Sequence, residues 1–472
     1  MEPRKEEVSI TATPAARWAL AGGLAVWTAI GFTPLSRPDV VPATAPVAVF
    51  SAERALVSVR VIAQRPHPVG SADHDRVRDY VLGEFTRLGL TPAVQAGVGE
   101  FYRFKGKAEN IIARLPGAAN TRPVMLAAHY DSTRRGPGAG DDAHAVAVLL
   151  ETLRALRQSA PLRNDVIFLV TDGEENGMLG AALFMREHPW RSEPGVVLNF
   201  EARGTGGDAT MFETSSPNQW LVRTLETTVP SANATSFAFE VYRRMPNNTD
   251  LSVFKQGLAG MNFAFIEHPE WYHRPQDDPA HLDLRSVQQQ GNYALALARQ
   301  FGAMDLNQAQ SGDAVYFPTR LTSLIVYPTA WVLPLAWLTT AGLVAAAFAG
   351  WRRRVRGWWL AFLLAIPAVL QLLVARSAPG ITYILEWPLA GVAIAYALWM
   401  TAPTVIAPGW RLLALLLTPA APLLLLAPML HTLIVALGPR QGGIIVAVAV
   451  LWMLLAVSPQ LKLTATTSAT AP

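Results

Sequence analysis

Not one of the 472 residues is a cysteine. That absence excludes a disulfide framework, thiol catalysis and any cysteine-ligated metal, so a metal ion would have to be held by His, Asp and Glu. Charge is scarce as well. Asp, Glu, Lys and Arg make up 16% of the chain against 51% apolar residues, and the mean hydropathy is +0.24. An HExxH pair, a nucleophile-elbow serine and a Walker glycine loop are also missing, which leaves other hydrolase and nucleotide-binding functions without residues to rest on.

The apolar excess is uneven. Long apolar runs fill about 321–460, whereas 51–302 have the mixed composition of a globular domain. The formal charge is +4, yet residues 303–472 alone hold nine Lys/Arg and three Asp/Glu, which leaves −2 for the rest. The basic excess therefore marks membrane topology and gives no support to a nucleic-acid partner. A bilayer span needs roughly 20 apolar residues. Such runs occur at 18–35 and near 323–350, 357–375, 380–400, 411–437 and 442–458. Arg4, Lys5 and Arg17 precede the first run, and "WRRRVR" (351–356) separates the second from the third. With basic flanks inside, both signals put the intervening segment outside the cytoplasm. The expected division is a cytoplasmic N-terminus (1–17), a transmembrane anchor (18–35), an extracytoplasmic domain (36–320), a bundle of about five transmembrane helices (321–460) and a disordered tail (461–472).

Within the extracytoplasmic part, "RPVMLAAHYDS" (122–132), "NDVIFLVTDG" (164–173), "GVVLNFEARG" (195–204) and "MNFAFIEH" (261–268) are short apolar runs closed by polar residues or glycine. Segments 143–158, 217–229 and 280–302 carry apolar residues at helical spacing. This alternation predicts an α/β fold, a mostly parallel central sheet with helices on both faces. Polar clusters at the strands' carboxyl ends then share one sheet edge, where such folds gather ligands and catalytic groups.

Four clusters fall there, and a fifth lies in a loop. "HYD" sets His129 and Asp131 at i and i+2, on the same face of a strand. "GAGDDAHAVA" places Asp141 and Asp142 where a helix opens, suited either to capping or to bridging two cations. "DGEENG" ends a strand in Glu174 and Glu175, and "NFEARGTGG" ends another in Glu201. "EWYHRPQDD" puts Tyr272 and His273 in a loop before the last helix. Two imidazoles and three carboxylates suit Zn²⁺, and five ligands exceed the needs of one catalytic ion. Shared through one carboxylate, they fit two ions about 3.5–4 Å apart, with one glutamate left for acid/base work.

These motifs, in this order and spacing, resemble the M28 family of dizinc metallopeptidases, mostly aminopeptidases. "NFEARGTGG" and "NNTDLSVF" (247–254) are most similar to its membrane-embedded branch, the endoplasmic-reticulum metallopeptidases and fungal vacuolar membrane proteases. The resemblance covers about residues 50–302. It implies two Zn²⁺ per chain with Asp141 as the bridge, His129 and Glu201 completing one site and Glu175 and His273 the other. It further implies Glu174 as general base, Asp131 as the partner orienting His129, and Tyr272 as a donor to the tetrahedral oxyanion. Glu201 stands where many soluble members have Asp, and His144 with Ala145 where a small pair is common; His144 is expected on a helix surface. The implied activity is a membrane-bound aminopeptidase acting on peptides. The alternatives are a single-zinc, glutaminyl-cyclase-like transferase on the same fold and a catalytically silent membrane scaffold or receptor.

Overall fold

The structure is a computed structural model that describes residues 37–308, 310–318 and 324–352 together with Leu372, Ala375 and Gly380. Residues Leu35–Thr329 form one compact unit. Its sheet has eight strands: β1 (Ala93–Phe101), β2 (Phe104–Leu115), β3 (Val124–His129), β4 (Val166–Thr171), β5 (Val196–Ala202), β6 (Thr210–Thr214), β7 (Asn233–Ala234) and β8 (Gly260–Phe265). They lie in the order β1-β2-β4-β3-β5-β8-β6-β7. The four expected strands are the four central ones, β4-β3-β5-β8, and they are parallel to one another. The edges differ from expectation. β1 and β2 form an antiparallel hairpin that pairs antiparallel with β4, and β6 runs antiparallel to β8, so the sheet is mixed.

Every residue of β3, β4, β5 and β8 is buried. Strands covered on both faces read as unbroken apolar runs, which is why they were visible in the sequence. β1 reads differently, because its "AVQAGVGEF" is largely exposed and lacks a sustained apolar face.

Helices cover both faces. On one face, α1 (Ala52–Ile62), α2 (Ala72–Arg87), α3 (His144–Leu156), α5 (Gln219–Thr228) and α8 (Leu284–Ala303) pack on Val124, Leu126, Val166, Phe168, Leu198 and Phe263. On the other, α4 (Leu179–Glu187) and α7 (Asp250–Phe254) pack on Met125, Ala127, Ile167, Leu169 and Val197. A short α6 (Ser236–Tyr242) completes the helices of this unit among the described residues. α2 starts at Ser71, whose side chain accepts from His74 N, so "RPHPVGS" leads into a helix N-terminus.

The run at 323–350 is divided. Leu324–Pro328 is a strand, β10, paired antiparallel with β9 (Ala314–Pro318), and the helix α9 (Val332–Arg352) begins only afterwards. Hydropathy alone does not separate a β-branched strand such as "LIVYP" from the start of a span. Thr329–Ala349 remains a 21-residue stretch long and apolar enough to cross a membrane. The other expected spans, 18–35, 357–375, 380–400, 411–437 and 442–458, lie outside the described residues save for Leu372, Ala375 and Gly380.

Candidate metal centre

His129 is the last residue of β3 and Glu201 the penultimate residue of β5. Each lies an even number of residues from Met125, Ala127 or Val197 on its own strand and so shares their face, and the two emerge on the same side of the sheet. Asp141 arrives from the loop before α3. It was expected to open that helix, but Asp141 and Asp142 have non-helical backbone angles and the helix starts at His144. Glu174 and Glu175 lie in the turn between β4 and α4, and His273 in the loop after β8.

These five ligand candidates converge. His129 Nε2 lies 3.2 Å from Asp141 Oδ1 and 3.7 Å from Glu201 Oε2. His273 Nε2 lies 3.0 Å from Asp141 Oδ2 and 3.0 Å from Glu175 Oε1. The donor atoms of His129, Asp141 and Glu201 all fall within 4.8 Å of one another, as do those of Asp141, Glu175 and His273. Asp141 is common to both groups and turns one carboxylate oxygen to each.

Asp131 plays a wider structural part than orienting an imidazole. Its carbonyl oxygen lies 3.0 Å from His129 Nδ1 and its carboxylate 3.4 Å away. The same carboxylate accepts the backbone N–H groups of Glu174 and Glu175 at 3.0 and 3.3 Å. One buried side chain thereby fixes both the histidine and the glutamate turn. Tyr272 stacks on the His273 ring at 3.7 Å, and Arg203 lies 5.7 Å from the tyrosine ring centre.

Electrostatics mark the cluster as built for positive charge. Burial pushes Glu174 well above the usual carboxylate range, with the nearby Glu201 carboxylate adding to the effect. Burial does the same to Glu201, and to Glu175, which reaches about 8. Burial alone would raise Asp141, but hydrogen bonds to His129 and His273 outweigh it and hold this carboxylate low. Burial opposes protonation of His273, yet Asp141 and Glu175 lift it to about 10. Among the described residues no Lys or Arg pairs with Asp141, Glu175 or Glu201. Glu175 Oε1 is buried, and His273 Nε2, 3.0 Å away, bonds Asp141 instead, so this oxygen has no hydrogen-bond donor of its own. Unpaired buried carboxylates are costly, and a cation bound by N and O ligands resolves that cost. The residues present therefore fit a zinc pair.

Two neighbours were not legible beforehand. Asp277, from "RPQDD", accepts from Gly140 N at 2.5 Å and Asp141 N at 3.2 Å, and so holds the aspartate loop. His144 is neither on a helix surface nor in the metal cluster. It is fully buried, with Nδ1 at 2.5 Å from Gly140 O, Nε2 at 2.5 Å from Gln290 Oε1 and its ring against Phe265. The apolar face of α3 is wider than its sequence spacing suggests, because α8 covers it. Asp250 is buried and accepts from Thr171 Oγ1, while His268 is exposed and stacks on Trp271.

Fold and cluster together define a mixed α/β domain with a metal-type donor set at the carboxyl edge of its parallel strands. Residues 110–298 match peptidase family M28. Rat endoplasmic reticulum metallopeptidase 1 is 29% identical over 308 residues, covering 59% of this chain and 34% of the rat protein. Vacuolar membrane protease of Eremothecium gossypii is 28% identical over 291 residues, covering 56% of this chain and 28% of that protein. The chain thus spans about a third or less of the length of these relatives. A Zn-dependent exopeptidase from Parabacteroides distasonis superimposes with a TM-score of 0.44 and 20% identity, over 54% of this chain and 99% of that one.

Proposed function

We propose that this chain is a membrane-bound, zinc-dependent aminopeptidase whose catalytic domain lies outside the cytoplasm. The observation that supports it most is the pair of three-donor groups meeting at Asp141. In this reading two Zn²⁺ would be held by His129 and Glu201 at one site and Glu175 and His273 at the other, with Asp141 shared between them. When bound, the zinc would supply Lewis acidity toward the scissile carbonyl and an activated water. Glu174, held in place through its backbone by Asp131, takes a proton from the attacking water and returns it to the leaving amine as the C–N bond breaks. Burial raises its proton affinity, which suits a group that must both take and give a proton. In this reading Tyr272, whose ring stacks on His273, donates a hydrogen bond to the tetrahedral oxyanion. The membrane-protein names of the relatives and the apolar stretch Thr329–Ala349 support attachment to a bilayer.

The test compares purified wild type with Glu174→Gln on free and N-terminally blocked peptides, with bound zinc quantified in both. The expected result is release of N-terminal residues from free peptides alone. Glu174→Gln should lower kcat by about 10²- to 10⁴-fold with two zinc ions retained. Equal turnover by the two proteins would remove the base, and cleavage restricted to blocked peptides would remove the aminopeptidase reading.

A further inference from the structure

Asn199 is a polar residue in the middle of a fully buried strand, and nothing in the chemistry above uses it. It lies two residues before Glu201 on β5, on the same face. Its side-chain amide donates to Glu201 Oε1 at 3.1 Å and to Asn262 Oδ1 at 3.0 Å. Asn262 on β8 is its direct cross-strand partner and in turn donates to Glu213 Oε2 at 3.0 Å and Thr249 Oγ1 at 2.7 Å. Glu213 on β6 is opposite Asn262 and is paired with Lys255 Nζ at 2.5 Å. Three neighbouring strands thus carry one continuous polar row that runs from a partly exposed lysine to Glu201.

The row has a direction. Glu213, ion-paired with Lys255, stands at one end and Glu201 at the other, and a carboxylate paired with a lysine only accepts hydrogen bonds. Glu213 therefore draws the NH₂ of Asn262 toward itself, which turns the Asn262 carbonyl to Asn199. That carbonyl draws the NH₂ of Asn199, whose second proton is left for Glu201. The orientation leaves Asn199 Oδ1 buried with no donor. An apolar side chain would fill this position without that unmet acceptor, so core packing does not explain the residue.

From this we infer that Asn199 is a positioning residue for Glu201, and that the Glu213–Asn262 pair sets the direction of its amide. Occupying Oε1 leaves Oε2 as the oxygen facing His129. It also restrains the otherwise freely rotating glutamate side chain. The inference rests on the proposed role of Glu201 as a metal ligand.

The experiment titrates zinc from the purified full-length chain with a chelator of known affinity, following the two ions separately. Partners that orient a metal ligand typically contribute 10- to 100-fold in affinity. Asn199→Ala should loosen one ion by about that factor while the second keeps its wild-type affinity. A double variant, Glu213→Met with Lys255→Met, removes a paired charge as a unit, a change that folded proteins tolerate well. It should loosen the same ion by a smaller factor. Wild-type affinity for both ions in the double variant overturns the inference, whether or not Asn199→Ala yields folded protein; so does wild-type affinity in a folded Asn199→Ala. Glu201→Gln separates the two readings: if it too binds both ions as wild type does, the assignment of Glu201 as a ligand fails first.

Discussion

Two buried histidines outside the metal cluster give this domain a pH dependence of defined sign. His144 has neither ring nitrogen open to water, and burial drives its pKa down to about 4. His67 is buried on the far side of Ser132, and burial brings it to about 4 as well. In the unfolded chain both titrate near 6.5. Between these values the unfolded state binds more protons than the folded one, so stability rises with pH from about 4 and is complete above about 6.5. Each histidine contributes on the order of 3 kcal/mol that is lost across this window as pH falls. Urea unfolding at several pH values checks this. His144→Asn should give a shallower fall in stability between pH 6.5 and 4 than wild type. Identical slopes would mean that His144 is protonated as readily folded as unfolded.

At the scale of elements, the turn that carries Glu174 and Glu175 depends on a hairpin that carries no candidate ligand. The tip between β1 and β2 packs on the turn from Glu174 to Met178. A Cβ added to Gly177 would lie 2.4 Å from Phe104 Cγ, and its backbone φ is +106°. Gly177→Ala should therefore displace Glu174 and Glu175 and reduce kcat/KM. Adding Phe104→Gly, which removes the Cβ at 2.6 Å as well as the ring, should restore part of the loss, because the clash is relieved while the strained φ remains. If the double variant is no better than Gly177→Ala, contact with the hairpin is not what positions the turn. This hairpin was also the part of the sheet least visible in the sequence, since a half-exposed edge strand has no apolar run to betray it. The central strands were legible because burial on both faces makes them uniformly apolar, and His129 and Glu201 were legible because they close those runs. Asn199 lay inside one of the same motifs, "NFEARG", yet its role depends on which residues of β8 and β6 stand beside it. Asp277 holds the Asp141 loop across 136 residues of sequence, a contact that only the fold creates.

For the molecule as a whole, the distribution of charge and the lack of cysteine combine into one experiment. Residues 1–302 and 303–472 carry opposite net charge, and Trp337, Leu338, Val344, Phe348 and Trp351 are exposed along α9, as lipid-facing side chains of a span would be. If Thr329–Ala349 crosses the bilayer, residues on its two sides must differ in their access to an impermeant reagent. A chain without native cysteine reports only the cysteine introduced. Tyr102, at the β1–β2 tip, is 77% exposed and makes none of the hydrogen bonds that hold the metal cluster. Tyr102→Cys should react with a membrane-impermeant maleimide on intact cells, whereas Arg356→Cys should react only after the membrane is permeabilised. The reverse pattern would put the catalytic domain in the cytoplasm and invert the basic-residue argument for topology. Equal labelling of both positions on intact cells would mean that no bilayer separates them, and α9 would then have to be reassigned from a span to a helix lying on one side of the membrane.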